Sequence, residues 1–312
     1  MEENSKHKKR KKLTSFNIII GIILFLIIGV CLYGFSVYKS VANTLNSTHE
    51  PLNNEVSKNR DLKIDFSKQD SISILLLGID ERKSDRGRSD SLILLTVNPK
   101  DKSAKMVSIP RDTRTEIAGQ GKEDKINHAY SFGGVDTTVE TVEDFLDVPI
   151  DFYIELNMES FKDIINALGG VKVNNALDFT YEGKHFPKGQ IQIKGTDALK
   201  YSRMRSEDPR GDLGRQDRQR LIIQAVINKG ASIKSLANYS DFLDVIGENV
   251  TTNLTFNDMK NIQANYKAAR HDIQQVQIDG KGTEIKGDYY YIVPQSERTE
   301  LSTMLKEHLN VN

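Results

Sequence analysis

Ile72-Ser73-Ile74-Leu75-Leu76-Leu77-Gly78-Ile79-Asp80 decides the fold, together with Leu92-Ile93-Leu94-Leu95-Thr96-Val97 and its stop at Asn98-Pro99. Such apolar runs predict central strands buried on both faces. Residues 104–109, stopped by Pro110, predict a third strand. Residues 135–146 then carry Val135, Val139, Val142 and Leu146 at helical spacing, and residues 152–156 return to strand character. Residues 158–168 are amphipathic, and Gly169-Gly170 predicts a left-handed cap before a strand at 171–173. Helices follow at 213–229 and 256–269, and strands at 273–278 and 289–293. This alternation predicts an α/β fold of three layers, α/β/α, with a central mixed β-sheet and helices on both faces.

Upstream of this core the sequence changes character twice. Residues 39–70 are polar with little apolar periodicity, which predicts a stalk. Residues 16–38 are apolar, and positions 18–37 supply, without a charge, the roughly 20 helical residues that a bilayer core about 30 Å thick requires. Lys6, Lys8, Lys9, Arg10, Lys11 and Lys12 precede them. Positive flanks stay inside, so the expected order is a cytoplasmic basic tail (1–15), a transmembrane signal-anchor helix (16–38), the stalk, and an extracytoplasmic catalytic domain (71–312). Ser40-Val41-Ala42 resembles a cleavage site, but the apolar core exceeds the roughly 7–15 residues usual in a signal peptide. Topology also explains the lysines without nucleic-acid binding.

The single cysteine, Cys31, falls inside the apolar segment, which excludes a disulfide, thiolate metal site or cysteine nucleophile in the exported part. Residues 1–38 hold six basic and two acidic side chains of the balanced 43 and 43, leaving 37 basic against 41 acidic. A strongly basic site in the exported part must therefore be a local concentration of arginine.

Two such concentrations occur at the ends of expected elements, where ligands bind in open α/β sheets. The first gathers Asp80 after the first strand, Arg88 and Asp90 before the second, and Arg111 after the third. Antiparallel pairing of the first two strands brings Asp80 and Asp90 to one rim, and a third strand parallel to the first adds Arg111. The second runs through Tyr201, Arg203 and Arg205, taken as an extended segment, to Asp212, Arg215, Arg218 and Gln219. Asp212 suits either a helix N-cap or a catalytic role. A helix N-terminus with flanking guanidinium groups attracts an anion, and guanidinium matches phosphate bidentately. Arginines converging with two or three aspartates read as a diphosphate site with a divalent cation. His128 reads as a structural hydrogen-bonding residue near a helix start, His185 and His271 lack metal-ligand spacing, and no nucleophile elbow is present.

These segments resemble the LytR-CpsA-Psr proteins, phosphotransferases that attach glycopolymers to the bacterial cell wall. The resemblance is carried by Leu75-Leu76-Leu77-Gly78-Ile79-Asp80, Gly87-Arg88-Ser89-Asp90-Ser91 and Ser108-Ile109-Pro110-Arg111-Asp112-Thr113. Lys125-Ile126-Asn127-His128-Ala129-Tyr130, Gly169-Gly170-Val171, and Tyr201 to Arg205 with Asp212, Arg215, Arg218 and Gln219 add to it. It implies a polyprenyl diphosphate-linked glycopolymer as donor, peptidoglycan as acceptor, and an apolar tunnel for the lipid. By the same resemblance Arg88, Arg111, Arg203, Arg205, Arg215 and Gln219 hold the diphosphate, with Arg218 in the same cluster. Asp80 and Asp90 are associated with Mg2+, and Asp80, Asp90, Arg111 and Asp212 form the catalytic group. A lipid diphosphate hydrolase would use the same residues. A non-catalytic glycan receptor is the remaining alternative, and the short charged tail argues against signalling. Beyond about residue 230 no motif is legible.

Overall fold

The computed structural model describes residues 48–54, 56–82, 85–230 and 250–312. The basic tail and the spanning helix expected at 1–38 lie outside the described residues, and no helix among the described residues is long and apolar enough to cross a membrane. In chain order the strands are β1 (Ile72–Arg82), β2 (Asp85–Asn98), β3 (Ser103–Ile109), β4 (Arg114–Ile117) and β5 (Lys122–Lys125). The helix α1 (Ala129–Leu146), β6 (Phe152–Asn157), α2 (Met158–Ala167) and the short strands β7 (Val171–Asn175), β8 (Phe179–Tyr181), β9 (Lys184–Phe186) and β10 (Gly189–Ile193) follow. Then come α3 (Gly195–Arg203), α4 (Asp212–Gly230), β11 (Val250–Thr252), α5 (Phe256–Asn265), β12 (Ile273–Gln277), the hairpin β13 (Lys281–Ile285) and β14 (Asp288–Ile292), and α6 (Gln295–Leu309).

The central sheet has the order β11-β6-β1-β2-β3-β12. Strand β1 pairs antiparallel with β2 and parallel with β6, β3 pairs antiparallel with β2, and β12 runs parallel to β3. The sheet is therefore mixed, and β3 runs parallel to β1 as the site argument requires. Side chains alternate along each strand, so β1 sends Leu75, Leu77 and Ile79 to one face and Ile72 and Ile74 to the other. Val139, Val142, Phe145 and Leu146 of α1 and Leu301, Leu305 and Leu309 of α6 cover the first face. Ile223 and Ile227 of α4 and Met259 and Ile262 of α5 cover the second. Each fully buried leucine or phenylalanine in such a layer contributes about 1.5–3 kcal/mol.

Helix α4 is packed on two sides. Its Leu221, Ile222, Ala225 and Val226 meet a further cluster formed by Ile165, Val171, Val173, Phe179, Phe186, Ile193 and Tyr201. Here the structure departs from the expected alternation. The strand expected at 171–173 belongs to a ribbon with β10, and the strand expected at 289–293 belongs to the β13–β14 hairpin; neither joins the central sheet. The helix expected from 135 starts at Ala129 and is interrupted at Gly133-Gly134, after which the expected segment follows. Gly169 and Gly170 are left-handed, as anticipated.

Residues 48–70, assigned to the stalk from composition, belong partly to the domain surface; residues 39–47 lie outside the described residues. His49 bridges to Thr252, the Tyr153 hydroxyl donates to the Glu50 carbonyl at 2.9 Å, and Arg60 pairs with the buried Asp151 at 2.6 Å. Burial pushes the Asp151 carboxyl up despite the Arg60 charge and the Ser73 hydrogen bonds.

One buried histidine locks the last helix to the sheet. His308 of α6 is within 2.8 Å of Thr96 Oγ1 through Nδ1 and 3.0 Å of Ser103 Oγ through Nε2. Burial, reinforced by the Lys105 charge, holds its pKa below the ordinary histidine value. The unfolded chain therefore takes up the proton first, so this contribution is complete above about pH 6.5 and is lost as pH falls below it. Urea titrations at pH 7.5 and 5.5 are expected to show a smaller acid loss of stability in His308→Gln than in the natural chain. Equal slopes would remove His308 from the account.

Candidate functional site

The site forms where β1 and β3 end beside the first half of β2, and a β-bulge sets it. Gly78 pairs with Ser91 and the next residue, Ile79, pairs with Ser89, so Asp90 is the extra residue on β2. Bulges of this kind re-aim a side chain next to a site. Asp90 receives a hydrogen bond from Arg111 Nη1 at 2.8 Å, both side chains being one-quarter exposed. Asp80 is opposite Arg88 in the ladder, half-buried, and continues the face of β1 that carries Leu76 and Gly78. The structure thus joins Asp90 to Arg111, and Asp80 lies on the neighbouring strand just past the bulge.

The turn after Arg111 adds a second carboxylate, Asp112. Its oxygens lie 3.8 Å from Arg111 Nε and 3.6 Å from Lys125 Nζ. The Lys125–His128 segment is threaded beside this turn, with Ile126 N donating to Thr113 O at 2.8 Å and Asn127 N to Arg111 O at 3.2 Å. His128 pairs with Asp124 at 3.0 Å, the structural contact expected of it.

Helix α4 brings its first turn to the same place. Gln219 receives a hydrogen bond from Ser91 Oγ at 3.3 Å, which joins α4 to the bulge. Asp212 is the first residue of α4; its carboxylate lies 2.8 Å from Arg215 Nη2 and accepts from Gln216 Nε2 at 3.0 Å. Arg215 is 8% exposed. Burial pulls its pKa below the ordinary value; Asp212 and Asp90 oppose this, and the nearby Arg111 and Arg205 guanidinium groups reinforce it. Burial also lowers Arg111, but Asp90, Asp112 and Asp212 override it and hold that group above its ordinary value. These mutual influences place Asp90, Arg111, Arg205, Asp212 and Arg215 in one electrostatic neighbourhood. Arg111 Nε and Arg215 Nε are buried without a hydrogen-bond acceptor, as are the Ser89 and Thr113 hydroxyls. Unsatisfied buried donors are uncommon in native structures, and here they border the rim.

Two expectations are corrected. Tyr201 and Arg203 are on α3, not an extended segment. The Tyr201 ring is fully buried, 5.8 Å from Phe179 and 5.5 Å from Phe186, while Arg203 and Arg205 are exposed. Arg218 is 4% exposed and is spent inside the fold rather than on the rim: it donates to Tyr201 O at 3.1 Å, to Asp208 Oδ2 at 2.6 Å and to Met204 O. Asp208 is pressed against Gly214, where any Cβ would meet its Oδ2 at 1.8 Å. Arg218 and Asp208 thus clamp the α3–α4 connection that carries Arg205. Sequence reasoning also missed Tyr289, on the β13–β14 hairpin. Burial raises its hydroxyl pKa, as do the nearby Asp112 and Asp212 charges, with Arg205 opposing.

Among the described residues no group of three or more His, Cys, Asp and Glu side chains could hold a metal ion. Asp80 and Asp90 supply two carboxylates, and Mg2+ commonly takes only one or two from protein, so they are the residues that would hold such an ion.

The geometry defines an α/β domain with a mixed sheet and a cluster of arginine and aspartate side chains where β1 and β3 end. The chain belongs to the LytR_cpsA_psr family, whose model matches residues 35–307. It is 50% identical over 305 residues to the Bacillus licheniformis protein named polyisoprenyl-teichoic acid--peptidoglycan teichoic acid transferase TagU, covering 98% of each chain. The crystal structure of B. subtilis TagU is 49% identical, with a TM-score of 0.64 over 77% of this chain and 97% of that one. A structure of TagT bound to LIIa-WTA is 36% identical, with a TM-score of 0.72 over 84% of this chain and 100% of that one.

The two arginine environments differ in what their loss does. Arg218→Ala leaves the buried Asp208 with the more exposed Arg210 as its only cation and is expected to cost about 3 kcal/mol in urea unfolding. Arg111→Ala is expected to cost no more than about 1 kcal/mol, since its pair is partly solvated. Inorganic pyrophosphate is expected to raise the melting temperature of the natural chain but not of Arg111→Ala or Arg215→Ala. A pyrophosphate response retained by both variants would remove the rim as the anion site.

Proposed function

We propose that this protein transfers a teichoic acid from a polyprenyl diphosphate carrier to a hydroxyl of peptidoglycan and releases polyprenyl phosphate. The observation that carries this reading is Arg215. A guanidinium buried at the first turn of α4, with an unpartnered Nε and with Arg111 and Arg205 close enough to depress its proton affinity, is a place where an added anion relieves mutual repulsion. The names of the TagU and TagT relatives supply the chemistry of that anion.

A path for the lipid is supported by the side chains between the sheet and α4. Leu76, Ile154, Ile223 and Ile227 pack against the core there while remaining partly exposed. Leu76 is on the face of β1 that leads through Gly78 to Asp80, so an apolar chain along it ends at the rim. Arg111, Arg205, Arg215 and Gln219 then surround the diphosphate, with the exposed Arg88 and Arg203 at its margin. The diphosphate would replace Asp90 as the partner of Arg111, and Asp80 and Asp90 would be the residues to hold Mg2+. The ion, when bound, neutralises phosphoryl charge.

The peptidoglycan hydroxyl forms a new bond to the phosphorus that carries the glycan. The bridging P–O bond breaks, and its electron pair leaves with polyprenyl phosphate. A rim carboxylate, Asp80, Asp90 or Asp212, takes the hydroxyl proton. Positioning and charge stabilisation dominate phosphoryl transfer, and a single well-placed arginine contributes about 10³-fold or more. The reading includes membrane attachment through residues 16–38 with the catalytic domain outside the cytoplasm, supported by the charge-free apolar segment and its lysine flank.

Full-length protein supplied with a lipid-linked polymer and peptidoglycan tests this. Arg111→Ala, or Arg203 and Arg205 both changed to alanine, is expected to lower transfer by about 10³-fold with melting temperature preserved. Asp80→Asn and Asp90→Asn are expected to raise the Mg2+ concentration needed for half-maximal transfer and to leave retention of the lipid nearly unchanged. Polyprenyl phosphate released at the same rate without peptidoglycan would assign a hydrolase instead.

A further inference from the structure

The β13–β14 hairpin has no part in the central sheet, yet it is fastened to the catalytic turn by its backbone. Tyr291 N donates to Asp112 O at 2.8 Å, and Thr113 bridges to Tyr291. Lys125 Nζ, which also faces Asp112, lies 5.6 Å from the centre of the Tyr290 ring. Two glycines of this ribbon make room for two tyrosines. A Cβ on Gly280 would meet the Tyr291 ring at 2.6 Å, and one on Gly282 would meet the Tyr289 hydroxyl at 2.5 Å and its ring at 2.7 Å. The Tyr291 ring enters the core and its hydroxyl donates to Ile278 O at 3.1 Å. Tyr289 does not: its ring lies along the ribbon and is 49% exposed.

The Tyr289 ring is thus held flat on a ribbon that is itself fixed to the turn bearing Asp112. We propose that the Tyr289 ring is a stacking platform for a pyranose ring of the substrate, held beside the diphosphate rim by the hairpin's attachment to Asp112. The chemistry fits one occupant. A pyranose presents an apolar C–H face that lies flat on an aromatic ring and an edge of hydroxyls that needs donors and acceptors. Asp112, Asp212 and Arg205, the charged groups whose fields reach the Tyr289 hydroxyl, supply them. A lipid chain gains nothing from charged groups such as these, and a second phosphate would be repelled by the two carboxylates.

This inference rests on the transferase reading, and the sugar comes either from the glycan on the lipid carrier or from the peptidoglycan acceptor. Calorimetry on the full-length chain separates the two sources, using three probes: inorganic pyrophosphate, a short-chain polyprenyl diphosphate carrying two N-acetylhexosamine units, and a soluble N-acetylglucosamine–N-acetylmuramic acid fragment. Tyr289→Ala is expected to weaken one of the two sugar probes by about tenfold, a loss of roughly 1.4 kcal/mol. Tyr289→Phe, which keeps the ring, is expected to stay within about twofold, and Gly282→Ala, which displaces it, to fall between the two. Pyrophosphate binding is expected to be unchanged in all three. Which sugar probe weakens identifies the source. Natural affinity of Tyr289→Ala for both sugar probes overturns the platform, as does pyrophosphate binding by the natural chain without binding of either sugar probe. Absence of pyrophosphate binding as well would instead overturn the diphosphate site beneath it.

Discussion

The Arg111–Asp90 contact depends on one irregularity in the β1–β2 ladder. Two strands in strict register would present every second side chain to the same layer, and Asp90 would share a side with Leu92 and Leu94 in the core beneath α1. The extra residue between Ser89 and Ser91 breaks that alternation. Asp90 then reaches Arg111 while Ser91 reaches Gln219 on α4. A single bulge therefore joins three elements, β2, the turn after β3 and the first turns of α4, at the carboxyl end of β1.

Helix α4 supplies the other half of the constraint. Its apolar residues divide between the central sheet and the cluster around Phe179, Phe186 and Tyr201. A helix buried on two sides has little freedom to shift, so its Arg215 is held beside Arg111 and Arg205 even though their charges oppose its own. The Arg218–Asp208 clamp extends this rigidity to the preceding connection. Arg210 ties Asp208 to Asp217 at 3.5 and 2.5 Å, and Arg220 pairs with Asp217 in turn. The arginine-rich face is thus of two kinds. One set, led by Arg218, is bound to a carboxylate and carbonyls inside the fold and sets geometry; the other, Arg111 and Arg215, borders the rim, each with a buried Nε that has no hydrogen-bond partner.

The central strands were legible because double burial leaves unbroken apolar runs, and 72–77, 92–97 and 104–109 all lie in β1, β2 and β3. That Asp90 and Arg111 come together followed from strand direction, but the bulge that aims Asp90 at Arg111 had no signal in the sequence. The strand at 171–173 was legible as a strand but not as a ribbon, although Val171-Lys172-Val173 alternates as a half-buried strand does, with only one face covered. Arg218 looked like a phosphate ligand because nothing local distinguishes a buried arginine from an exposed one; its partner Asp208 stands in a turn with no periodicity. Tyr289 was invisible for a different reason. Its site neighbours come from distant segments, and only the docking of β14 on Asp112 joins them.

The account's central claim is that this rim holds a polyprenyl diphosphate and passes its glycan-bearing phosphorus to peptidoglycan. Phosphorus-31 NMR of a lipid-linked teichoic acid on the full-length chain, with Mg2+ and with peptidoglycan added last, follows both phosphorus atoms at once. The account predicts that both diphosphate resonances shift on binding. After peptidoglycan is added, it predicts that they are replaced in equal amounts by a polyprenyl monophosphate signal and a wall-linked phosphodiester signal. Diphosphate resonances that neither shift nor disappear, or a monophosphate signal without the phosphodiester, would contradict it.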